Sequence, residues 1–400
     1  MARETRSNSK GIIIDGLDPG FEVSIEGTTL GAEITRFIKH VEYESADGIA
    51  DMAKIVISNV DGIFTDSKMF QAGNEMALAF GYGTLSHVGR VELVKPRFSF
   101  PQGDIPTIEL TGYTADIRMM DGKSPKAVKK KKLKKKEIDA DLRIFQANPK
   151  LSLVLNTITG PYEFNLDYDE LTLPFPKGLV QRPNTSDYDL IKGLANLTGF
   201  IFWVDGDEDG LWTLHFKEPN AKGIISDVQE AEYTFAYGHT LFSFDPEFSF
   251  RDVKTKLVVE ADNPDNAEKP HRIEIEDEET APDFLSDGDA ESVVDKPILT
   301  GGSAKIYLGE FQIEVIPNKH FTKESELKLW AEQWFRRHRE DFVNGSGTLI
   351  GLEDVFARQT HKLTGMGNTL DGRYYFARVR HTLNADAGYT MAIEARRVIE

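Results

Sequence analysis

The chain has no cysteine and no long apolar run. Disulfides, thiolate nucleophiles and sulfur-ligated metals are therefore excluded, and packing alone must hold the fold together. No apolar segment approaches the roughly 20 residues needed to span a bilayer. The polar start, MARETRSNSK, is not followed by the apolar core of a secretory signal. We therefore expect a protein that is made in the cytoplasm and does not insert into membranes.

Basic side chains are scarce relative to acidic ones. The 400 residues contain 47 lysines and arginines against 65 aspartates and glutamates, which gives a formal net charge of −18. Tight binding to nucleic acid depends on basic residues that displace counterions from phosphates, so this balance argues against specific nucleic-acid binding. The composition is otherwise that of a globular protein, and the length indicates two or three domains.

Signatures of catalysis are also lacking. There is no G-x-S-x-G elbow, Walker loop or dinucleotide fingerprint, and none of the nine histidines has metal-site spacing. Asp167 and Glu170 could be proposed as a carboxylate pair for glycoside hydrolysis, but the sequence gives no separation between them. We predict no cofactor.

One short motif resembles a metal loop. The segment DGDEDG copies the opening of a calcium loop, with Asp205, Asp207 and Asp209 as candidate ligands. The bidentate glutamate that such a loop needs at its twelfth position is replaced by Phe216. Because the segment joins two predicted strands, a turn is the favoured interpretation, and calcium is kept as a candidate.

The first part of the chain, from Gly20 to about Met120, consists of short apolar runs separated by turn residues. Strand-like runs occupy residues 54–58, 75–80, 89–94 and 107–111. Many short strands at this spacing are typical of a barrel or a sandwich. Residues 30–41 could form either a helical turn or a strand.

A lysine-rich run, KSPKAVKKKKLKKK, follows at residues 123–136. A solvated linker or exposed helix face is the favoured interpretation. A phosphate-binding patch and docking onto an acidic surface of a neighbouring subunit are the alternatives.

The middle of the chain has the pattern of an α/β module. Residues 151–155 indicate a strand or a buried helical segment, and residues 160–178 a loop rich in proline and tyrosine. Ser186 then caps a predicted helix, and Gly199 stands where the helix should end. Two strands are predicted next, at residues 200–204 and 211–216.

The last part returns to strands, at residues 242–250 and 256–260. Residues 261–300 are rich in Asp, Glu, Pro and Gly and indicate a long acidic insertion, mobile at least in part. A long helix is predicted over residues 322–342. Its apolar stripe includes Trp330 and Trp334, which could form a ligand platform but are more typical of core.

The chain closes with a predicted hairpin, DGRYYFARVRHTLNADAGYTMAIEARR, at residues 371–397. A period of two places Tyr375, Ala377, Val379, His381 and Leu383 on one face of its first strand, with Arg378 and Arg380 on the other. The second strand has an apolar face of its own, formed by Tyr389, Met391, Ile393 and Ala395. A hairpin alone is not stable in water, so it must be the edge of a larger sheet or barrel.

Three separated segments resemble the late control protein D family, the baseplate hub proteins of contractile-tailed phages, which are akin to the hub part of type VI secretion spikes. The C-terminal resemblance rests on Gly365-Met366-Gly367, Asp371-Gly372-Arg373-Tyr374, Val379-Arg380-His381 and Gly388-Tyr389. The central one covers QRPNTSDYDLIKGLANLTGFIF, from Gln181 to Phe202, and the N-terminal one covers residues 73–82 and 98–112. The lysines at 129–136 and the insertion at 261–300 depart from the family pattern.

This resemblance implies a mainly β fold with α+β parts: two tail-tube-like β-barrels, an intervening α/β module, and one long helix in the C-terminal part. The expected divisions are a first barrel over residues 1–122, a lysine-rich linker and α/β module over 123–235, and a second barrel over 236–400.

The implied function is structural. Three copies would form a ring that adapts a sixfold tail tube to a threefold central spike and leaves a channel for DNA or tape measure. Expected partners are the spike, the tube or its initiator, and the baseplate wedge, in the tail of a virion assembled in the host cytoplasm. We expect Arg378 and Arg380 to face the next subunit.

Two other functions stay open. One is a carbohydrate-active enzyme that uses carboxylates in a groove lined by Trp203 or Trp212. The other is a nucleic-acid-binding module built on the lysine run, whose binding would depend on salt.

Overall fold

The computed structural model describes residues 18–120, 143–173, 175, 178–181, 185–219, 231–248, 256–261, 269–276, 313–317, 343–367, 370–384 and 387–398. It also describes helical positions 324, 327, 328, 330–332, 334 and 335. The lysine run at 123–136 lies outside these residues. No helix in the described part of the chain is long and apolar enough to cross a membrane.

The first part of the chain is almost entirely β-structure. Residues 18–120 form eight strands: β1 (Pro19–Ile25), β2 (Thr28–Thr29), β3 (Ile38–Ala46), β4 (Met52–Ser58), β5 (Glu75–Tyr82), β6 (Ser86–Leu93), β7 (Arg97–Ser99) and β8 (Thr107–Tyr113). Two single-turn helices, α1 (Ala32–Thr35) and α2 (Ile117–Met120), complete it. All four predicted strands are confirmed. The ambiguous segment at residues 30–41 contains both a helical turn and the start of a strand.

The middle part is an α/β unit. It contains β9 (Arg143–Phe145), α3 (Leu151–Thr159), β10 (Asn165–Tyr168), β11 (Leu179–Gln181), α4 (Asp187–Thr198), β12 (Ile201–Gly206) and β13 (Trp212–Lys217). Residues 151–155 are thus helical. The helix α4 begins and ends as predicted, because the Ser186 hydroxyl accepts from the Asp189 N–H at 3.0 Å and Gly199 ends it with φ of +77°.

The predicted loop at residues 160–178 is wrong in part. It contains β10, which pairs in parallel with β13, while β12 pairs antiparallel with β13 on the other side. This short strand was not predicted, because turn residues surround it and its pairing partner lies almost 50 residues away.

The described residues of the last part form nine strands. They are β14 (Thr234–Ala236), β15 (Leu241–Phe248), β16 (Lys256–Ala261), β17 (His271–Glu276), β18 (Ile313–Pro317), β19 (Val343–Ile350), β20 (Thr360–Thr364), β21 (Gly372–Asn384) and β22 (Gly388–Arg397). The predicted closing hairpin is β21 and β22, paired from Asn384 and Gly388 outward.

The segment predicted as an acidic insertion, residues 261–300, contains a strand that its composition did not indicate. Ala261 ends β16, and β17 lies within the predicted insertion, paired antiparallel with β16. Strand β18 pairs with the other edge of β16. In β17, Ile273 and Ile275 pack toward a small core, whereas Arg272 and Glu274 lie on the other face. This alternation is typical of a strand, but the acidic composition of the segment favoured a loop.

The helix predicted over residues 322–342 is helical at every described position within it. Leu327, Ala331 and Phe335 pack against β16 in the same small core. Trp330 is buried there and Trp334 is partly buried, so both tryptophans belong to packing and not to a ligand platform.

The two ends of the chain share one sheet of fourteen strands. Its order is β15-β19-β22-β21-β3-β4-β8-β6-β5-β1-β2, with β7 also on β8, and β14 joined through β20 to β21. A mainly β fold with helices is therefore confirmed. One core lies under the N-terminal strands and a second under the C-terminal strands. The N-terminal core includes Leu383 and Tyr389 from the tip of the closing hairpin, so it is complete only when that hairpin is in place.

Candidate assembly site

Antiparallel pairing of β3 with β21 joins the two ends of the chain; we call this the β3–β21 junction. The register places Arg380 opposite Glu44, and on the other side of β21 it places Glu394 of β22 opposite Arg378. Side chains two residues apart on a strand share a face. The charged residues of these three strands therefore meet on the face away from the cores, which we call the polar face.

Ion pairs cross the β3–β21 junction on this polar face. The Arg380 Nε donates to Glu44 Oε2 at 2.7 Å, and the Arg378 Nη1 donates to Glu394 Oε1 at 3.0 Å. Arg378 Nε also lies 3.6 Å from Glu44 Oε1. Partial burial lowers the pKa of Arg380, but the hydrogen bond and charge of Glu44 outweigh burial and raise that pKa. Each arginine predicted to face a neighbour thus has a partner within its own chain.

A shallow groove of about 270 Å³ runs along the polar face from β21 to β15. Its lining is polar and includes Asp245, Ser346, Thr348, Arg378 and Arg380. The arginine side chains remain 36% and 44% exposed. They can therefore contact another molecule while keeping their intrachain partners, and their role at a subunit interface stays a prediction.

The faces of the hairpin are confirmed except at its base. Val379, His381 and Leu383 are buried, as is the whole apolar face predicted for the second strand. A β-bulge between Phe376 and Arg378 inserts one extra residue, which shifts the alternation. Tyr375 was consequently assigned to the wrong face: it lies under Arg396, whose guanidinium carbon is 4.4 Å from the ring centroid, and its hydroxyl donates to Asp47 at 2.6 Å.

A fully buried histidine lies beneath the β3–β21 junction. His381 Nε2 lies 2.8 Å from the Val355 carbonyl and so carries the proton that it donates there. Its Nδ1 then accepts from the Tyr389 hydroxyl at 2.9 Å. Burial lowers the pKa of His381 to about 4, so the ring is neutral at pH 7 and acts as a structural bridge between strands and loop.

A second contact between the two ends is a buried ion pair. Arg358 Nη2 lies 3.3 Å from Asp51 Oδ2, and both side chains are about 5% exposed or less. Arg358 also donates to the Ala46 carbonyl at 2.9 Å. The Tyr43 hydroxyl and the Ala46 N–H donate to the Asp51 carboxylate at 3.2 and 3.1 Å. Burial raises the pKa of Asp51, and Arg358 opposes that effect.

The middle unit is attached to this ion pair. The guanidinium carbon of Arg358 lies 5.2 Å from the ring centroid of Trp203, and the opposing ring of His215 stacks on Trp203 at 4.5 Å. Asp167 and Asp205 bind the two nitrogens of His215 at 2.9 and 3.1 Å. Burial lowers the pKa of His215, but these two carboxylates outweigh burial and raise it.

The alternative function, a carbohydrate-active enzyme, requires that Trp203 or Trp212 line an open groove. Trp203 and Trp212 are both buried. Trp203 contacts both Arg358 and His215, while the Trp212 Nε1 donates to Glu75 at 3.2 Å. The expectation that either tryptophan lines an open groove is therefore wrong, because Trp203 packs the middle unit against Arg358 of the C-terminal part and Trp212 packs it against β5.

The carboxylate pair proposed for hydrolysis is also engaged in structural contacts. Asp167 binds His215 and, at 2.6 Å, the Lys217 Nζ. Glu170 instead accepts from the N–H groups of Ser152 and Leu171, each at 3.2 Å, the first of which lies in the opening turn of α3. The two carboxylates therefore serve different elements.

The calcium-like segment forms the turn between β12 and β13. Asp207 Oδ1 accepts from the Leu211 N–H at 2.8 Å, so the aspartate side chain closes the turn. Arg90 of β6 donates to the carbonyls of Asp207 and Glu208 at 3.0 and 2.8 Å. The guanidinium group of this arginine therefore binds the loop. Within the described ranges no group of three or more acidic or histidine side chains is arranged to hold a metal.

Sequence reasoning missed Arg358, Asp51 and His215. Arg358 has φ of +72°, which is unusual for a residue other than glycine. None of the three stands in a recognisable motif, and their partners lie 5 to 312 residues away.

Solved structures with this fold come from phage tails and from type VI secretion. A tail protein from Neisseria meningitidis MC58 matches with a TM-score of 0.62 at 10% identity, covering 95% of this chain and 96% of that one. The 43 kDa tail protein of prophage MuSo2 from Shewanella oneidensis matches with a TM-score of 0.61 at 12% identity, covering 95% and 98%. An E. coli protein described as a component of the type VI secretion system matches with a TM-score of 0.52 at 9% identity, covering 94% and 77%.

The chain thus has the fold of phage tail proteins, which confirms the resemblance to hub and spike proteins at the level of fold. A family model described as the Alg8 N-terminal domain matches residues 144–385, and the chain belongs to that family. No curated protein matches the sequence.

Proposed function

We propose that the chain is a structural hub of a contractile tail or a related injection machine. Three copies would form a ring between the tail tube and the central spike. The observation that carries this proposal is the β3–β21 junction, which aligns strands from the two ends of one chain in a single sheet. The fold shared with phage tail proteins supports the same proposal.

The sheet has a layout that suits a symmetry adaptor. Four C-terminal strands, β15, β19, β22 and β21, continue into four N-terminal ones, β3, β4, β8 and β7. The C-terminal strands cover one core, and β3, β4 and β8 cover the other together with β1, β5 and β6. Three chains would therefore present six such groups to a sixfold tube while keeping true threefold symmetry toward a spike.

The polar face would line the channel of the ring. Its acidic residues are Glu42, Glu44, Glu109, Asp245, Glu247 and Glu394, and its basic ones are Lys54, Arg378, Arg380 and Arg396. Several of the basic residues are held in ion pairs, such as Lys54 with Glu109 at 2.9 Å. An acidic excess repels DNA and acidic tape-measure segments within a Debye length, so they would slide past with little adhesion.

In this role the chain needs no catalysis and no cofactor. Its partners would be two further copies, the spike, the tube or its initiator and, at the periphery, baseplate wedge and tape measure. Its location would be the tail baseplate of a virion, after assembly in the host cytoplasm. The tube-like barrels over residues 1–122 and 236–400 and the linker with α/β module over 123–235 remain the proposed divisions.

The test is the mass and shape of the purified particle. Light scattering or native mass spectrometry should give three copies, alone or once the spike protein is added. Class averages should show a threefold ring with a central channel, and a density map should show a channel that is not basic. A stable monomer that ignores the spike and cleaves glycans would refute the proposal.

A further inference from the structure

His215 lies on the central strand of the small sheet in the middle unit, with an aspartate at each of its ring nitrogens. In the register of β13 it stands opposite Asp167 of β10 and Trp203 of β12. Its Nδ1 lies 2.9 Å from Asp167 Oδ2, and its Nε2 lies 3.1 Å from Asp205 Oδ1. The histidine side chain is 17% exposed. One largely buried ring therefore joins the two outer strands of this sheet.

Only the protonated ring of His215 can make both of these hydrogen bonds. An ionised carboxylate has no proton to donate, and a neutral imidazole carries one N–H and one lone pair. Burial raises the pKa of Asp167, but hydrogen bonds from Lys217 and His215 outweigh burial and lower that pKa. A neutral His215 would therefore turn its lone pair toward a carboxylate, and one of two charge-assisted hydrogen bonds would be lost.

The carboxylate of Asp205 couples His215 to Trp203. Its Oδ2 accepts from the Trp203 Nε1 at 3.2 Å, while its Oδ1 binds the histidine. The two rings also stack, with centroids 4.5 Å apart and planes 6° from parallel. A cation is attracted to the face of an indole ring, so protonation of His215 favours the stack as well. The position of Trp203 therefore depends on the proton of His215.

Trp203 in turn contacts the place where the two ends of the chain meet. The guanidinium carbon of Arg358 lies 5.2 Å from the centroid of the buried Trp203 ring. Arg358 binds the Asp51 carboxylate and the Ala46 carbonyl, which ends β3. The middle unit is thus linked, through one indole ring, to the contact between the N-terminal and C-terminal parts.

We propose that His215 is a pH switch: its proton holds the middle unit against the two ends of the chain, and loss of that proton releases Trp203. Burial lowers the pKa of His215, but the two aspartates outweigh burial and raise it. The stabilisation is therefore fully present below about pH 6.5, and it is lost as the pH rises through the pKa of the folded state. This inference goes beyond the proposed function, because it concerns a single chain whatever the number of copies in the assembly.

Cations of other elements lie beside these contacts. The Lys217 Nζ lies 2.6 Å from Asp167 Oδ1 and 3.9 Å from Asp169 Oδ1. Arg358 approaches from the C-terminal part through Trp203. Lys217 compensates the charge of Asp167 but leaves the oxygen that faces His215 Nδ1 dependent on the histidine proton.

Two other titratable groups belong to the same region. His87 Nε2 lies 2.9 Å from the Gly206 carbonyl, and a ring that donates there can do so in either protonation state. Burial and the charge of Asp51 raise the pKa of Asp116 to about 8. Asp116 therefore titrates in the range in which the switch would act, and the experiment must separate it from His215.

Amide hydrogen exchange of the full chain at pH 6 and pH 9 tests the switch. Peptides from β12 are compared with peptides from β19 in the same sample, because the chemical effect of pH on exchange cancels in that ratio. In the natural chain the exchange of β12 relative to β19 should rise about tenfold at pH 9, the effect of losing one charge-assisted hydrogen bond. An unchanged ratio would overturn the inference.

Variants then identify the group that titrates. In His215→Gln the relative exchange of β12 should already be high at pH 6 and should not rise further at pH 9. Asp116→Asn should keep the rise, as should the matched control His239→Gln, which alters an exposed histidine before β15. A rise that persists in His215→Gln, or that disappears in Asp116→Asn, would show that another proton is responsible.

His215→Arg gives the opposite test. A guanidinium group stays charged at pH 9 and has N–H donors for both aspartates. The relative exchange of β12 should therefore stay low at both pH values in this variant. A rise equal to that of the natural chain would contradict the inference.

Discussion

Replacing Arg358 by methionine should destabilise the protein by about 3–4 kcal/mol at pH 7. Methionine keeps much of the apolar stem while the charge is lost, so Asp51 is left buried beside Tyr43 and the Ala46 N–H. Removing one partner of a buried ion pair costs about 3–5 kcal/mol. The protein can limit this cost by protonating Asp51. At pH 7 a carboxyl of ordinary pKa takes up a proton for about 4 kcal/mol.

That limit gives the prediction a pH signature. In the Arg358→Met variant the folded state holds a proton on Asp51 that the unfolded state releases, so the variant loses stability as pH rises above about 4. At pH 5 the proton costs only about 1.5 kcal/mol. The difference between variant and natural chain should therefore shrink by about half or more between pH 7 and pH 5.

Urea unfolding followed by tryptophan fluorescence measures this difference, because Trp203 lies directly under Arg358. Arg378→Met is the matched control, since it removes an exposed arginine and should cost less than about 1 kcal/mol. Combining Arg358→Met with Asp51→Asn should recover part of the loss. A loss below about 1 kcal/mol at pH 7, or one independent of pH, would refute the reasoning.

Three further predictions concern the β3–β21 junction. His381 has a pKa lowered to about 4, so on acidification the unfolded state binds a proton that the folded state does not. The free energy of unfolding should therefore fall by about 3 kcal/mol from pH 6.5 to pH 4. In urea titrations at several pH values, His381→Gln should make the free energy of unfolding depend less on pH over this range. Arg380→Glu should cost about 1 kcal/mol and loosen the junction, because the new carboxylate faces Glu44, while Arg380→Lys should be nearly neutral; equal amide exchange in both variants would contradict this. Gly89→Ala should lower stability by about 1–3 kcal/mol, because a Cβ there would come within 2.2 Å of the Tyr43 ring; an unchanged urea midpoint would show that the ring can move aside.

Local signals in the sequence predicted most of the elements. Alternation over β4, β5 and β8, and the serine and glycine at the ends of α4, depend only on neighbouring residues, and these predictions are confirmed. The closing hairpin was predicted with its loop, because Asn384 and Gly388 are turn residues at a short separation.

Long-range features were beyond local signals. Nothing in β21 alone indicates that its partner is β3, because the same alternation would suit any exposed edge. The bulge between Phe376 and Arg378 shifts Tyr375 to the other face of the strand. The sequence around the bulge contains no turn residue that would have indicated it. Strand β17 was hidden by acidic composition, although Ile273 and Ile275 kept its period of two.

The candidate assembly site was found only in outline. Arg378 and Arg380 were placed correctly on the face away from the core, but their partners Glu44 and Glu394 follow from pairing and not from composition. The buried pair of Arg358 and Asp51 could not be predicted, since the two residues are 307 positions apart.

The β3–β21 junction also sets the order of events during synthesis. Arg380 follows Glu44 by 336 residues, so at ribosomal rates β3 waits roughly 17–67 s for its partner strand. Until then the N-terminal core lacks Leu383 and Tyr389, and the edge of β3 is open to foreign strands. A chain interrupted before β21 therefore cannot form the continuous row of eight strands, and it lacks the surface on which the proposed ring depends.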